Sequence, residues 1–247
     1  TLVANIEGDV TGTLQTAAQS NITSLGTLTT LTVDNIIING TNIGHTSDTD
    51  AIAIASDGVV NFSAGATIAS NTIKTAGKET IFVPAAAMYP TTTSGCAALT
   101  QVELSSGQPE LKVLDFDPSS DENAQFSVAF PKSWNEGVIT FRAFFTVSGT
   151  NTGTVSWALS GVATADNDAI DVAFGTAVAP TAKAHSGTSG DINVTAESGN
   201  VTIAGSPSTD EMVFFNILRD VSADNQSGDA RLLGIQIFFT TDAANDA

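Results

Sequence analysis

Cysteine is almost missing from this chain: Cys96 is the only one in 247 residues. A lone thiol excludes an intrachain disulfide framework, so stability has to come from a packed core and from assembly. Histidine is nearly as scarce. His45 and His185 are the only two, which excludes a zinc site of the His and Cys type. Bases are few as well, 8 against 26 acids, for a net charge of −18. They are scattered singly, so no basic patch serves nucleic acid, and an anionic membrane surface repels the chain. No apolar run reaches the roughly 18 residues of a membrane span. No basic segment leading into an apolar stretch opens the chain, so no signal peptide is expected. The start at Thr1 rather than Met reads as a processed chain or the ordered part of a longer one.

What is present is divided unevenly. Residues 1–78 hold a single aromatic, Phe62, and every other aromatic, including Tyr89, Trp134 and Trp157, falls in 79–247. Aromatic side chains dominate core burial because each hides a large area. The expected organisation is therefore a repetitive β segment, 1–78, followed by a head domain, 79–247, that makes its own core.

The first segment repeats at an offset of 14 residues: Gly12, Thr13, Leu14, Thr16, Asn21 and Ile22 fall on Gly26, Thr27, Leu28, Thr30, Asn35 and Ile36. A third copy starts at Gly40–Thr41 and decays. Thr30–Val33 alternates, Asn35–Asn39 follows, and Ala51–Ile54 and Ala66–Ile68 repeat the theme. β-Branched residues at period two mark strands, with glycines punctuating them. Strands this narrow are expected to bury their apolar side only when three chains wind together, which would also cover their edges. The expected shaft core is Ile22, Leu25, Leu28, Leu31, Val33, Ile36 and Ile38. The alternative is a low-complexity linker, which rarely carries a run such as Ile36–Ile38 in register with Leu31 and Val33.

The second segment reads as strands almost throughout: Ile81–Val83, Gln101–Leu104, Leu111–Phe116, Gln125–Phe130, Ile139–Val147, Val155–Leu159, Asp191–Thr195, Asn200–Ala204, Val213–Ile217, and a last one placing Leu233, Ile235, Ile237 and Phe239 on one face. Short strands at regular spacing with Gly, Asn, Asp and Ser turns point to a β-sandwich. Asp168–Thr176 is the one helix expected, capped by its Asp. Phe144–Phe145, Phe214–Phe215 and Phe238–Phe239 put rings on both faces of their strands; the outer ring of each needs a helix, a loop or a second subunit over it.

Asn21–Gly40 (NITSLGTLTTLTVDNIIING) resembles the shaft repeats of bacteriophage tail fibres. The head resembles a β-sandwich module of phage virion proteins through Ala124–Phe126, Pro131–Gly137 (PKSWNEG), Ala165–Asp166 with Asp168–Ala169, Ala173–Thr176, and the closing Phe239–Asp246. The resemblance implies an all-β fold, an interwound trimeric β shaft (β-helix- or β-prism-like) followed by a jelly-roll-like β-sandwich. It implies a homotrimeric virion protein, a tail fibre segment attaching the particle to a host-surface glycan or protein and contacting other virion proteins. A head fibre or capsid decoration protein is the runner-up. From other classes, a polysaccharide depolymerase or a cellular carbohydrate-binding adhesin remains open. The resemblance carries over no catalytic residue.

The chemistry-bearing residues are weighed separately. His185–Ser186 invites a Ser–His–Asp triad, but no G-x-S-x-G elbow supports it. Glu103, Glu110, Glu122, Glu136, Glu197 and Glu211 could supply a glycosidase pair, although acids at strand ends are ordinarily just solvated. Three acidic loops, Asp115–Glu122, Asp166–Asp171 and Asp220–Asn225, offer oxygen ligands of the kind calcium takes; Asp and Asn are also the ordinary turn residues. Trp134 lies in a turn. It is the candidate for surface recognition by stacking on a sugar, but a Trp so placed more often plugs the end of a sandwich core, the reading favoured here. Cys96 reads as a small buried hydrophobe. The expectation is no enzyme, no cofactor and no metal.

Overall fold

The computed structural model describes residues 30–33, 36–45, 47–63, 66–68, 71–72 and 76–242. The chain divides into two compact units, Thr1–Ile73 and Lys74–Ala247.

In the first unit, β1 (Thr30–Val33), β2 (Ile36–Asn39), β3 (Asn42–His45), β4 (Asp48–Ile54) and β5 (Val60–Phe62) form one sheet in that order. Each strand pairs antiparallel with the next, and a small hairpin of β6 (Thr67–Ile68) and β7 (Asn71–Thr72) follows. The turn after β2 is closed by Gly40, whose φ of +58° suits glycine. One cross-strand row runs through all five strands: Leu31 opposite Ile38, Ile38 opposite Ile43, Ile43 opposite Ile52, and Ile52 opposite Phe62. The strands thus pair with their neighbours in sequence, β2 turning into β3 through the two residues Gly40–Thr41. Of the expected shaft core, Leu31 and Val33 sit in β1 and Ile36 and Ile38 in β2, in facing register. Ile22, Leu25 and Leu28 lie outside the described residues.

The second unit comprises β8 (Gly77–Pro84), β9 (Tyr89–Pro90), β10 (Thr100–Val102), β11 (Leu111–Phe116), β12 (Glu122–Ala129), β13 (Thr140–Val147), β14 (Thr154–Val155), β15 (Trp157–Thr164), β16 (Lys183–Ala184), β17 (Asn193–Val194), β18 (Ile203–Ala204), β19 (Met212–Arg219) and β20 (Ala230–Thr241). Residue 78, the expected boundary, falls inside β8. Six strands make one sheet, in the order β10-β11-β20-β13-β17 with β8 also on β20, and five make the other, β18-β15-β19-β12-β9. β20 is long enough to carry β11 on its first part and β8 on its last. The chain is all-β; its described helical residues are two 3-10 turns, Ala85–Ala87 and Val221–Ala223.

The core follows from period two. Phe141, Ala143 and Phe145 of β13 are fully buried while Thr140, Arg142 and Phe144 between them are not. Aromatic rings join the sheets. Phe130 meets Phe215 and Phe239 edge-on at 6.3 and 5.6 Å, and Trp157 takes Phe116 edge-on at 4.9 Å. Gly161 makes room for this packing, since a Cβ there would lie 2.8 Å from the Phe215 ring.

Two expectations are corrected. Residues 168–176 form no helix. Gly175 N–H donates to Gly161 O and Val178 bridges Leu159, so the edge of β15 takes backbone groups that a helix would satisfy internally; Ile170 is left 70% exposed. In β20 the buried leucine is Leu232 rather than Leu233. A bulge opposite Phe144–Phe145 steps the register from Gly234 to Leu232, and one extra residue reverses which side chains face inward. The outer rings of two of the doublets are partly covered by neighbouring strands: Phe82 meets Phe144 edge-on at 5.6 Å, and Lys78 and Arg142 lie over Phe238.

Candidate functional site

The PKSWNEG block leaves β12 through a tight turn in which Trp134 N–H donates to Pro131 O at 2.9 Å. The Asn135 amide oxygen accepts from Gly137 N–H at 3.1 Å, and Glu136 adopts φ +58°, unusual for a side-chain-bearing residue. The turn is pinned from two distant parts of the chain. Trp134 bridges Thr241, Asn135 N–H donates to Thr240 O, and Asp242 N–H to Ser133 O. On the other side, Thr209 N–H donates to Glu136 Oε1 at 3.1 Å, and Lys132 Nζ lies 3.4 Å from Asp210. The result is a cleft of about 190 Å³ lined by Lys132, Trp134, Asn135, Glu136, Thr209 and Asp242. It offers an ammonium, two carboxylates, an amide and a hydroxyl, groups that can hydrogen-bond a polar ligand. It is smaller than the roughly 300–1,000 Å³ of pockets that enclose a drug-sized molecule.

Trp134 itself is corrected as a recognition residue. It is 2% exposed and stacks on Phe130 at 4.2 Å, 26° from parallel, so its indole closes the end of the core and offers no open face to a sugar. Thr209 and Asp242 were invisible as site residues in the sequence. The resemblance in the closing segment pointed to this stretch only in outline; of it, the fold sets Thr240–Asp242 against Ser133–Asn135.

The other candidates do not come together. Ser186 Oγ donates to Asp191 at 2.9 Å, while His185 is buried with Nδ1 at 3.1 Å from Asn151 O, so the pair forms no relay. The glutamates are engaged locally. Glu110 accepts from Gln101, Glu122 from Asp117 N–H, Glu211 from Ser208 N–H, and Glu197 from Lys78 and Thr140; Glu103 stands exposed. Burial raises the Glu122 carboxyl, and the hydrogen bond from Lys78, then that from Thr140, lowers Glu197. Burial likewise pushes the Cys96 thiol up to about 12, which suits a small core residue rather than a nucleophile.

The acidic loops serve the fold. Asp224 forms a buried pair with Arg219, whose Nε reaches it at 2.8 Å; the same guanidinium donates to Phe116 O, Gly228 O and Gln226 O. Asp117 caps Ser119, Asp121 accepts from Val221 N–H, and Asp168 accepts from Ala165 N–H. Asp115 lies 3.3 Å from Arg231, and its carboxyl is raised by burial, which outweighs that cation. Among the described residues, no three His, Cys, Asp or Glu side chains are grouped to hold a metal ion.

No protein-family model matches the chain, and no curated protein matches it either. Among solved structures, a family 35 carbohydrate-binding module from an environmental isolate is 10% identical over 64% of this chain and 98% of its own, with a TM-score of 0.34. A family 11 carbohydrate-binding module from Clostridium thermocellum, in complex with a β-1,3-1,4-mixed-linked tetrasaccharide, is 9% identical over 73% and 96%, also at 0.34. A cycloisomaltooligosaccharide glucanotransferase from Paenibacillus sp. is 13% identical over 60% of this chain at 0.33, and the chain spans only 17% of that enzyme. The sandwich is established by this chain's own strands; at these TM-scores no ligand, partner or activity follows from the neighbours.

Proposed function

We infer that the chain is a non-catalytic attachment protein: a β-sandwich head carried on a repetitive β segment that self-associates, as a homotrimer, and so presents several heads together. The observation that carries this is the apolar cross-strand row of the first unit. Ile43 and Ile52 are only half-buried, and Ile54, Val60 and Phe62 on the same face are 41, 48 and 49% exposed. A sheet face of that composition is stabilised by burial against a like surface. Linked heads then gain avidity without any new contact. The resemblance to phage fibre repeats supports a place on a virion, tail or capsid, beside other virion proteins.

Sedimentation tests the reading. The full chain is expected to run as a trimer, residues 74–247 as a monomer, and Ile52→Asp to shift the full chain towards monomer. A monomeric full chain overturns it. That result would favour a second reading, a carbohydrate-binding adhesin acting as a single chain, for which the polar Pro131–Gly137 cleft is the favouring observation.

A further inference from the structure

The outward face of the six-stranded sheet alternates rings and hydrogen-bonding groups over three adjacent strands, β13, β20 and β8. One cross-strand row reads Arg142, Gln236, Phe82; the next reads Thr140, Phe238, Thr80; and on the other side Phe144, Gly234, Pro84. Phe82 is 54% exposed, yet it is held. Its ring lies over Gly234, where a Cβ would come within 2.7 Å of Phe82 Cζ, and it abuts Phe144 at 87°. Phe238 lies between two cations, with Lys78 Nζ 5.2 Å and Arg142 Cζ 5.4 Å from its centroid. Lys78 is neutralised by Glu197. Arg142 Nε, by contrast, is shielded from water and has no acceptor among the described residues.

We propose that this face is a glycan-binding platform, on which a pyranose ring stacks against Phe82 while Arg142 and Gln236 donate to its hydroxyls. The inference rests on the attachment reading and places its ligand on the head. A sugar ring carries an apolar C–H face and a rim of hydroxyls, the same alternation that the strands display. A fixed ring loses little freedom on binding, and the half-buried Arg142 guanidinium has further N–H donors beyond its shielded Nε with which to meet hydroxyls. A stable protein interface needs a continuous apolar centre, and here Arg142, Gln236, Thr140 and Thr80 interrupt each of the two rows that hold Phe82 and Phe238.

The test is affinity electrophoresis of the full chain in gels containing mixed-linkage β-glucan, galactomannan or xyloglucan as neutral arms, and alginate or polygalacturonate as acidic arms. At least one polysaccharide is expected to retard the protein. Phe82→Ala is expected to weaken that retardation at least tenfold and Arg142→Ala about fivefold, with the melting temperature of each variant recorded to show that it is folded. Tyr89→Ala, on the other sheet, is expected to change nothing. Retardation by the neutral gels identifies hydroxyl recognition; retardation by the acidic gels alone adds a carboxylate seated on Arg142. Absence of retardation in all five gels, or retardation untouched by Phe82→Ala, overturns the proposal. So does conversion of an oligomer to monomer by Phe82→Ala without loss of glycan binding, which would assign the face to a second copy of the chain. A monomeric full chain that still binds through Phe82 sinks the trimer and leaves the platform standing.

Discussion

Single residues set how the head responds to acid. Glu197 is held below its ordinary carboxyl value chiefly by Lys78 and then by Thr140. A depressed carboxyl contributes stability that is present above the unfolded value and is lost as pH falls through the folded one. Glu197→Gln is therefore expected to lower the melting temperature at pH 7, with the gap closing as pH falls below the ordinary glutamate range and through the lowered folded value, as followed by circular dichroism. Asp115 and Glu122 act with the opposite sign: burial raises both, so their contribution is present in acid and is lost as pH rises through the raised values. A melting gap for Glu197→Gln that widens in acid would contradict the assignment. Little of this was legible in the sequence. Lys78 and Glu197 are far apart along the chain, and only the pairing of β8 with β20 and of β20 with β13 brings Lys78 beside Thr140, from which Glu197 also accepts. Arg219 was legible as a strand end but not as a buried base, because its partners come from two separate segments, the end of β11 at Phe116 and the loop from Asp224 to Gly228.

Elements were read more successfully where periodicity alone decides them. Leu111–Phe116 has the predicted bounds, since alternating apolar residues closed by Asp117–Pro118 admit little else. Residues 168–176 misled because helical spacing of Ile170, Ala173 and Phe174 says nothing about an open strand edge nearby. Leu233 misled because a bulge is a property of two strands together and not of one. The loop after β19 gives the sharpest prediction at this scale. It is tied to the core by Arg219, itself fully buried, through Asp224, whose side chain is 3% exposed. Arg219→Met leaves that carboxylate buried and unpaired and is expected to cost about 3–5 kcal/mol in urea denaturation. Adding Asp224→Leu is expected to restore most of the loss; a double variant no better than the single one would mean that the carbonyl contacts to Phe116, Gln226 and Gly228 dominate.

At the scale of the whole molecule, the aromatics are unevenly distributed, and among the described residues the buried apolar cluster lies between Val83 and Phe239. Residues 74–247 alone are accordingly expected to melt at the same temperature as the head transition of the full chain, within about 2–4 °C, as measured by calorimetry. A much lower value would mean that the first unit shares in the core. What composition could not show is which strands neighbour one another, and hence the face that β8, β20 and β13 build together. That neighbourhood also has a mechanical meaning. A pull arriving along the chain from the first unit enters the head at Gly77, where β8 runs antiparallel to the end of β20 from Gly77–Thr241 to Pro84–Gly234. Directed along the strand, such a load falls on the whole ladder of hydrogen bonds at once instead of peeling them one by one. Thr241, at the loaded end, is itself bridged to Trp134, so tension on the tether is passed into the plug of the core.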